Sequence, residues 1–220
     1  MAPLRKPTAA GGAFIGISDH GGWAVLVTVD LDGTLLDRRR VELVDEGLPK
    51  IPHHSEGQRL PLDQAVELVE AVRASAERHA QVALAAVAMA VPSGGSDDSI
   101  RGVALRECPG WLPPTIAERI KDYRAQNVAD WVMYRRALAA AAEGRGWAVH
   151  WYDPKKVIDA AGEVLQVEDL DAHFIQLRKS IGPPWGKDHK LAMAAAILAA
   201  KVEEHTVARA RTSTGVSHKG

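Results

Sequence analysis

Cysteine is almost absent. Cys108 is the only one in 220 residues, which excludes an internal disulfide and fits a reducing cytosol. Charge of one sign is equally scarce: 27 Lys and Arg stand against 28 Asp and Glu, a net charge of −1. The chain as a whole therefore exerts no pull on nucleic acid or an anionic membrane, and any such attraction must come from local patches. Long apolar runs are missing as well. The longest, 82–91 and 191–200, are about half of the ~20 residues that a membrane-spanning helix needs. The stretch 1–12 carries Arg5 and Lys6 with no apolar segment behind them, unlike a secretory leader. The expectation is a soluble cytoplasmic protein with one domain over 13–204 and disordered ends at 1–12 and 205–220. A domain of this size buries roughly 70% of its unfolded surface and needs no staple or metal to fold.

What is present is most informative over 13–44. Three apolar segments, 14–18, 23–29 and 35–44, are separated by Asp19-His20-Gly21-Gly22 and Asp30-Leu31-Asp32-Gly33. Glycine pairs and Asp-Gly dipeptides are hairpin chemistry, and the β-branched content of 23–29 suits a buried strand. Arg40, Val41, Glu42 and Leu43 alternate with period two, so a third strand is expected at a sheet edge where Arg38, Arg39 and Arg40 stay solvated. The polar, proline-rich 47–61 is a loop. From Leu62, the residues Ala65, Val66, Leu68, Val69, Val72 and Ala76 recur at helical spacing. The apolar run 82–91 reads as a fourth strand buried on both faces, followed by a long irregular segment, 92–114, with room for a short strand at 103–105. A helix is expected over 115–144, a strand over 147–152, helical turns around 154–161 and 167–179, and a last apolar helix over 187–204 after the break at Gly182-Pro183-Pro184.

Two families are resembled. The order of three antiparallel strands, helix, strand, helix, strand, helix resembles the ribonuclease H-like fold of Holliday-junction resolvases and transposases: an α/β domain with a mixed five-stranded sheet flanked by helices. That resemblance covers about 13–204 and implies a nuclease or nucleic-acid-binding protein. Two Mg²⁺ or Mn²⁺ ions would be held by carboxylates from the first strand, the end of the fourth and the start of the last helix, since two hard cations must clamp the attacking and leaving oxygens of a phosphodiester. On this chain the resemblance implies Asp19 and Asp188 as ligands and His189 as a general base. The expected fourth strand ends Ala90-Val91-Pro92-Ser93 with no acid, so Asp153 or Glu107 would supply the third carboxylate, with Asp97 and Asp98 also near in sequence. A catalytically inactive interaction protein on the same scaffold is the alternative. The second resemblance is to haloacid-dehalogenase-type phosphatases, whose D-x-D-G-T-L motif matches Asp30-Leu31-Asp32-Gly33-Thr34-Leu35; it implies Asp30 as nucleophile beside Asp32. That family follows the motif with a helix or cap, where the alternation here expects a strand. Asp19-His20-Gly21-Gly22 also resembles the phosphate-binding turn of actin-like ATPases, which pair two copies of such a fold where this chain has room for one.

Away from these motifs, Arg119, Lys121, Arg124, Arg135 and Arg136 fall on or near the polar side of the expected 115–144 helix, as a solvated face or a phosphate-contacting one. Trp131 and Trp147 are expected in the core, and Trp111 and Trp185 beside prolines in loops, where they pack as lids or stack on bases. His53-His54 has no metal-binding spacing with another ligand and is left unassigned.

Overall fold

Three consecutive strands form an antiparallel meander: β1 (Ala13–His20), β2 (Trp23–Asp30) and β3 (Leu35–Glu42). The turn glycines Gly22 and Gly33 hold φ near +80°, the left-handed region that glycine enters without penalty. β4 (Ile100–Arg106) then pairs parallel with β1, and β5 (Ala148–Tyr152) pairs parallel with β4. The resulting five-stranded order is β3-β2-β1-β4-β5. This mixed five-stranded sheet flanked by helices matches the architecture expected from the sequence. This description comes from a computed structural model and covers residues 12–91, 100–167 and 169–214, with 204–214 as backbone alone.

Helices cover both sheet faces. α1 (Leu62–Ala90), α2 (Ile116–Lys121) and α3 (Tyr123–Glu143) lie on one; α4 (Val157–Leu165), α5 (Leu170–Ile181) and α6 (Lys187–Thr214) lie on the other. Because successive strand residues point to opposite faces, β1 divides cleanly between two cores. Ala13, Ile15 and Ile17 join Ala24 and Leu26 of β2 under α1 and α3. Phe14 joins Val25, Val27 and Val29 under α6. Burial on both sides explains why β1 and β2 read as near-continuous apolar runs.

The expected strand over 82–91 is instead the last third of α1. Five of its residues are alanine (Ala83, Ala85, Ala86, Ala88 and Ala90), the strongest helix former. No glycine or proline separates it from the helix that begins at Leu62, and its buried residues Ala83, Leu84 and Val87 keep helical spacing. The real fourth strand is the short segment around 103–105, extended to Ile100–Arg106. The expected helix over 115–144 is two, broken at Asp122, whose extended backbone and side chain cap α3 through the amides of Arg124 and Ala125. The last helix continues past 204 to Thr214. Among the described residues no helix is long and apolar enough to cross a membrane.

Candidate functional site

Since β1, β4 and β5 run parallel, their C-terminal ends share one sheet edge, and the N-terminus of α6 reaches the same place. Strand parity decides which side chains meet there. Ser18 and His20 share the α6 face of β1, while Asp19 between them faces α3. The Ser18 hydroxyl donates to Asp188 Oδ1 at 2.9 Å, and His20 Nε2 donates to the same oxygen at 2.8 Å. From β4, Arg106 Nη2 donates to the Ser18 oxygen at 2.8 Å. Tyr152 at the end of β5 donates its hydroxyl to the Ile17 carbonyl at 2.9 Å, and burial pushes its pKa up to about 12. α6 can approach this closely because Gly16 lies beneath Ala192 with no side chain of its own.

The start of α6 is fixed by Arg38 of β3. Its guanidinium donates to the carbonyls of Ile181 (2.9 Å), Gly182 (3.0 Å) and Pro184 (2.6 Å) in the loop before the helix. Outside this clamp, His20 stacks on Trp23 with ring centroids 4.0 Å apart and planes 7° from parallel. The Arg40 guanidinium lies 4.1 Å over the Trp23 ring, a cation–π contact. Arg40 is exposed, and His20 and Trp23 are half-buried. The edge therefore carries a layered stack of flat groups beside an Arg106–Ser18–Asp188–His20 hydrogen-bonded chain.

No family model matches this chain, and no curated protein matches it. Solved structures do. A RuvC from T. thermophilus in complex with Holliday junction substrate is 14% identical, with 88% of this chain and 96% of that one covered at a TM-score of 0.44. A Thermus thermophilus RuvC structure is likewise 14% identical, covering 88% and 97% at 0.42.

The residues expected to hold metal do not converge. Asp188 stands at the shared edge, but Asp19 turns to the opposite face, where it is fully buried against Arg135 of α3. His189 points its Nδ1 back to the Gly186 amide (3.3 Å) beside the Trp185 ring. Burial, then the Arg38 charge, holds its pKa below the usual imidazole value. Asp153 closes its own turn, accepting from the Lys155 amide at 2.9 Å. Glu107 is exposed just past β4, with its carbonyl bound by Arg135 Nη1 at 2.7 Å. Asp97 and Asp98 lie outside the described residues. A two-cation site needs several carboxylates around a gap of about 4 Å. Here one carboxylate is taken by Ser18 and His20, and a guanidinium stands next to it. Among the described residues no group of three His, Cys, Asp or Glu side chains could hold a metal ion. These donors do not fit Mg²⁺ or Mn²⁺ in the expected arrangement.

The phosphatase reading is corrected too. Asp30 Oδ1 accepts from the amides of Asp32 (3.0 Å) and Thr34 (2.8 Å), which locks it into the β2–β3 turn, and a strand follows. Arg135, expected on a polar helix face, is buried toward the sheet.

Sequence reasoning missed Ser18, His20 and Arg106. For the first two a signal existed: alternation within 13–20 sets residues 18 and 20 apart from 19. Arg106 was hidden by the misplaced fourth strand.

The Asp188 carboxyl should be visible in pH-dependent stability. Burial opposes its ionisation, but hydrogen bonds from His20 and Ser18, with the His20 and Arg106 charges, prevail and hold its pKa below the ordinary carboxylate value. A depressed folded-state pKa adds stability that is present above the unfolded value of about 3.9 and is lost as pH falls through the folded one. The urea midpoint should therefore drop as pH is lowered below about 4, and Asp188→Asn should drop less over the same interval. Parallel curves for the two proteins would show that this network carries no protonation-linked stability.

Proposed function

We propose that this chain binds nucleic acid at the strand-end edge of its sheet and does not cleave it by a two-cation route. One observation carries the reading. The side chains gathered at that edge are flat rings, guanidinium groups and a single carboxylate already engaged by Ser18 and His20. Guanidinium groups contact phosphates and stack on bases, and aromatic groups form sequence-tolerant platforms for single strands. A lone, occupied carboxylate beside Arg106 suits holding a phosphate better than activating water on one. The ribonuclease H-like scaffold supports the same direction by analogy alone, because a fold does not fix a function.

Fluorescence anisotropy with labelled single-stranded, duplex and four-way-junction DNA, and with single-stranded RNA, tests this. Binding of at least one of them is expected, falling steeply as salt is raised. Arg40→Ala and Arg106→Ala should each weaken it by roughly tenfold. Incubation with Mn²⁺ should leave every substrate intact. Failure to bind any of the four overturns the reading in favour of a protein-interaction role. Cleavage that vanishes in Asp188→Asn overturns its non-cleaving half.

A further inference from the structure

The two outer strands of the sheet are unlike. β3 carries charge at five of its eight positions, Asp37, Arg38, Arg39, Arg40 and Glu42. Charge along an outer strand is one way that natural sheets keep other chains from pairing with them. β5, on the opposite side, is Ala148-Val149-His150-Trp151-Tyr152. It holds no charged residue, proline or glycine, and its length is an ordinary one for a strand. Ala148 is exposed, and Trp151 is 46% exposed. α4 does not close this side, because a cavity of about 650 Å³ separates it from β5 and α6.

The backbone groups of successive strand residues point alternately to the two sides of the strand. The Glu107 amide donates to the Tyr152 carbonyl at 3.1 Å, so Tyr152, and with it His150 and Ala148, turn their backbone groups toward β4. Val149 and Trp151 turn theirs outward, where they make no hydrogen bond among the described residues. These two residues stand symmetrically about His150. A second β5 laid antiparallel on this side, with His150 on the two-fold axis, sets Val149 opposite the partner's Trp151 and Trp151 opposite the partner's Val149. Both are hydrogen-bonded pairs, and together they satisfy every outward amide and carbonyl of the two residues. Opposed side chains share one face, so each exposed indole covers the partner's Val149, which is half-buried in the single chain. The strand is thus complementary to its own copy, in hydrogen bonds and in the fit of a large side chain on a small one.

We propose that this protein forms a two-fold dimer in which β5 of one copy pairs with β5 of another, continuing the sheet across the interface. The inference does not rest on nucleic-acid binding. An extended segment of an unrelated protein would find the same outward groups, but nothing in β5 selects for one, whereas its own copy satisfies both the bonding pattern and the packing.

Analytical ultracentrifugation of the full chain across the micromolar range tests it. The mass should rise with concentration from 23.7 kDa toward twice that value. Trp151→Lys, at an exposed position, should fold normally and raise the dimer dissociation constant by roughly tenfold or more. A cysteine reads the register. In a Cys108→Ser background, which removes the only native thiol, His150→Cys should give a covalent dimer with oxidised glutathione. Its copies would face each other across the axis with Cα atoms about 4.5 Å apart, within disulfide reach. Val149→Cys, whose copies lie off the axis, should not cross-link. A mass that stays at the single-chain value throughout overturns the proposal and leaves β5 to a different protein. Dimerisation unchanged by Trp151→Lys, or a dimer that His150→Cys does not cross-link, also overturns it.

Discussion

Asp19→Ala is expected to reduce the free energy of unfolding by about 3–5 kcal/mol, the usual effect of removing one partner from a buried ion pair. Asp19 is fully buried, and its carboxylate receives Arg135 Nη2 at 2.9 Å and Nε at 3.2 and 3.3 Å. With the carboxylate gone, the guanidinium stays in a site that is 7% exposed, left with two weaker neutral partners, the Glu107 carbonyl on Nη1 and the Cys108 side chain. The charge then lacks both water and a counter-ion. Asp19→Leu combined with Arg135→Met should recover most of the loss, because two apolar groups of similar size leave nothing unpaired. Urea denaturation of the three variants decides the matter. Were Asp19 a metal ligand held near other acids, its removal would relieve repulsion and stabilise the chain, the common trade-off at active sites. A variant as stable as the parent, or more so, would therefore return Asp19 to the metal-site reading.

Gly16→Ala should also be severe, about 3 kcal/mol or more. In an ordinary strand this change gains roughly 0.5–1 kcal/mol from reduced chain entropy, so the sign is itself diagnostic. A methyl group built on Gly16 would sit 1.7 Å from the Ala192 carbonyl oxygen and 2.7 Å from the Ala196 amide nitrogen. Both are main-chain atoms of α6, so no rotamer change relieves the clash, and Ala192→Gly would not rescue it. The helix must lift, and lifting it separates Asp188 from Ser18 and His20. A lowered thermal midpoint together with a loss of the pH-dependent component assigned to Asp188 is the expected signature. A neutral or stabilising substitution would mean that α6 does not lie so close to β1.

The three-stranded meander was legible because its signals are local. The Asp-Gly turn and the alternation of Arg40, Val41, Glu42 and Leu43 depend on nothing far away. The fourth strand was not legible for the opposite reason. Alanine satisfies a buried strand and a buried helix alike, so 82–91 could not be assigned until its continuity with α1 was known. That misplacement moved the end of the fourth strand away from Arg106, hiding the residue whose positive charge stands beside Asp188. Asp188 stood out as a candidate because an acid at the start of an apolar helix is a local feature, but the sequence named it as a metal ligand and not as the acceptor for Ser18 and His20. Its partner was misjudged by one position. Choosing between Ser18 and Asp19 required knowing which sheet face α6 covers, and that is settled by packing across about 170 residues of chain, a range local patterns do not reach. Capping residues such as Asp122 looked in the sequence like ordinary members of a helix.

The placement of α6 has a consequence for biosynthesis. The apolar side of the meander, with Phe14, Val25, Val27 and Val29, is roofed by Leu191, Ala192, Ala195, Ala196 and Ile197 of this late helix. A ribosome emits the meander first and the roof last, at about 5–20 residues per second, so the greasy side of the nascent sheet waits many seconds for its cover. Chains cut short before Lys187 keep that side open for good, in the form most prone to clump or to be captured by chaperones.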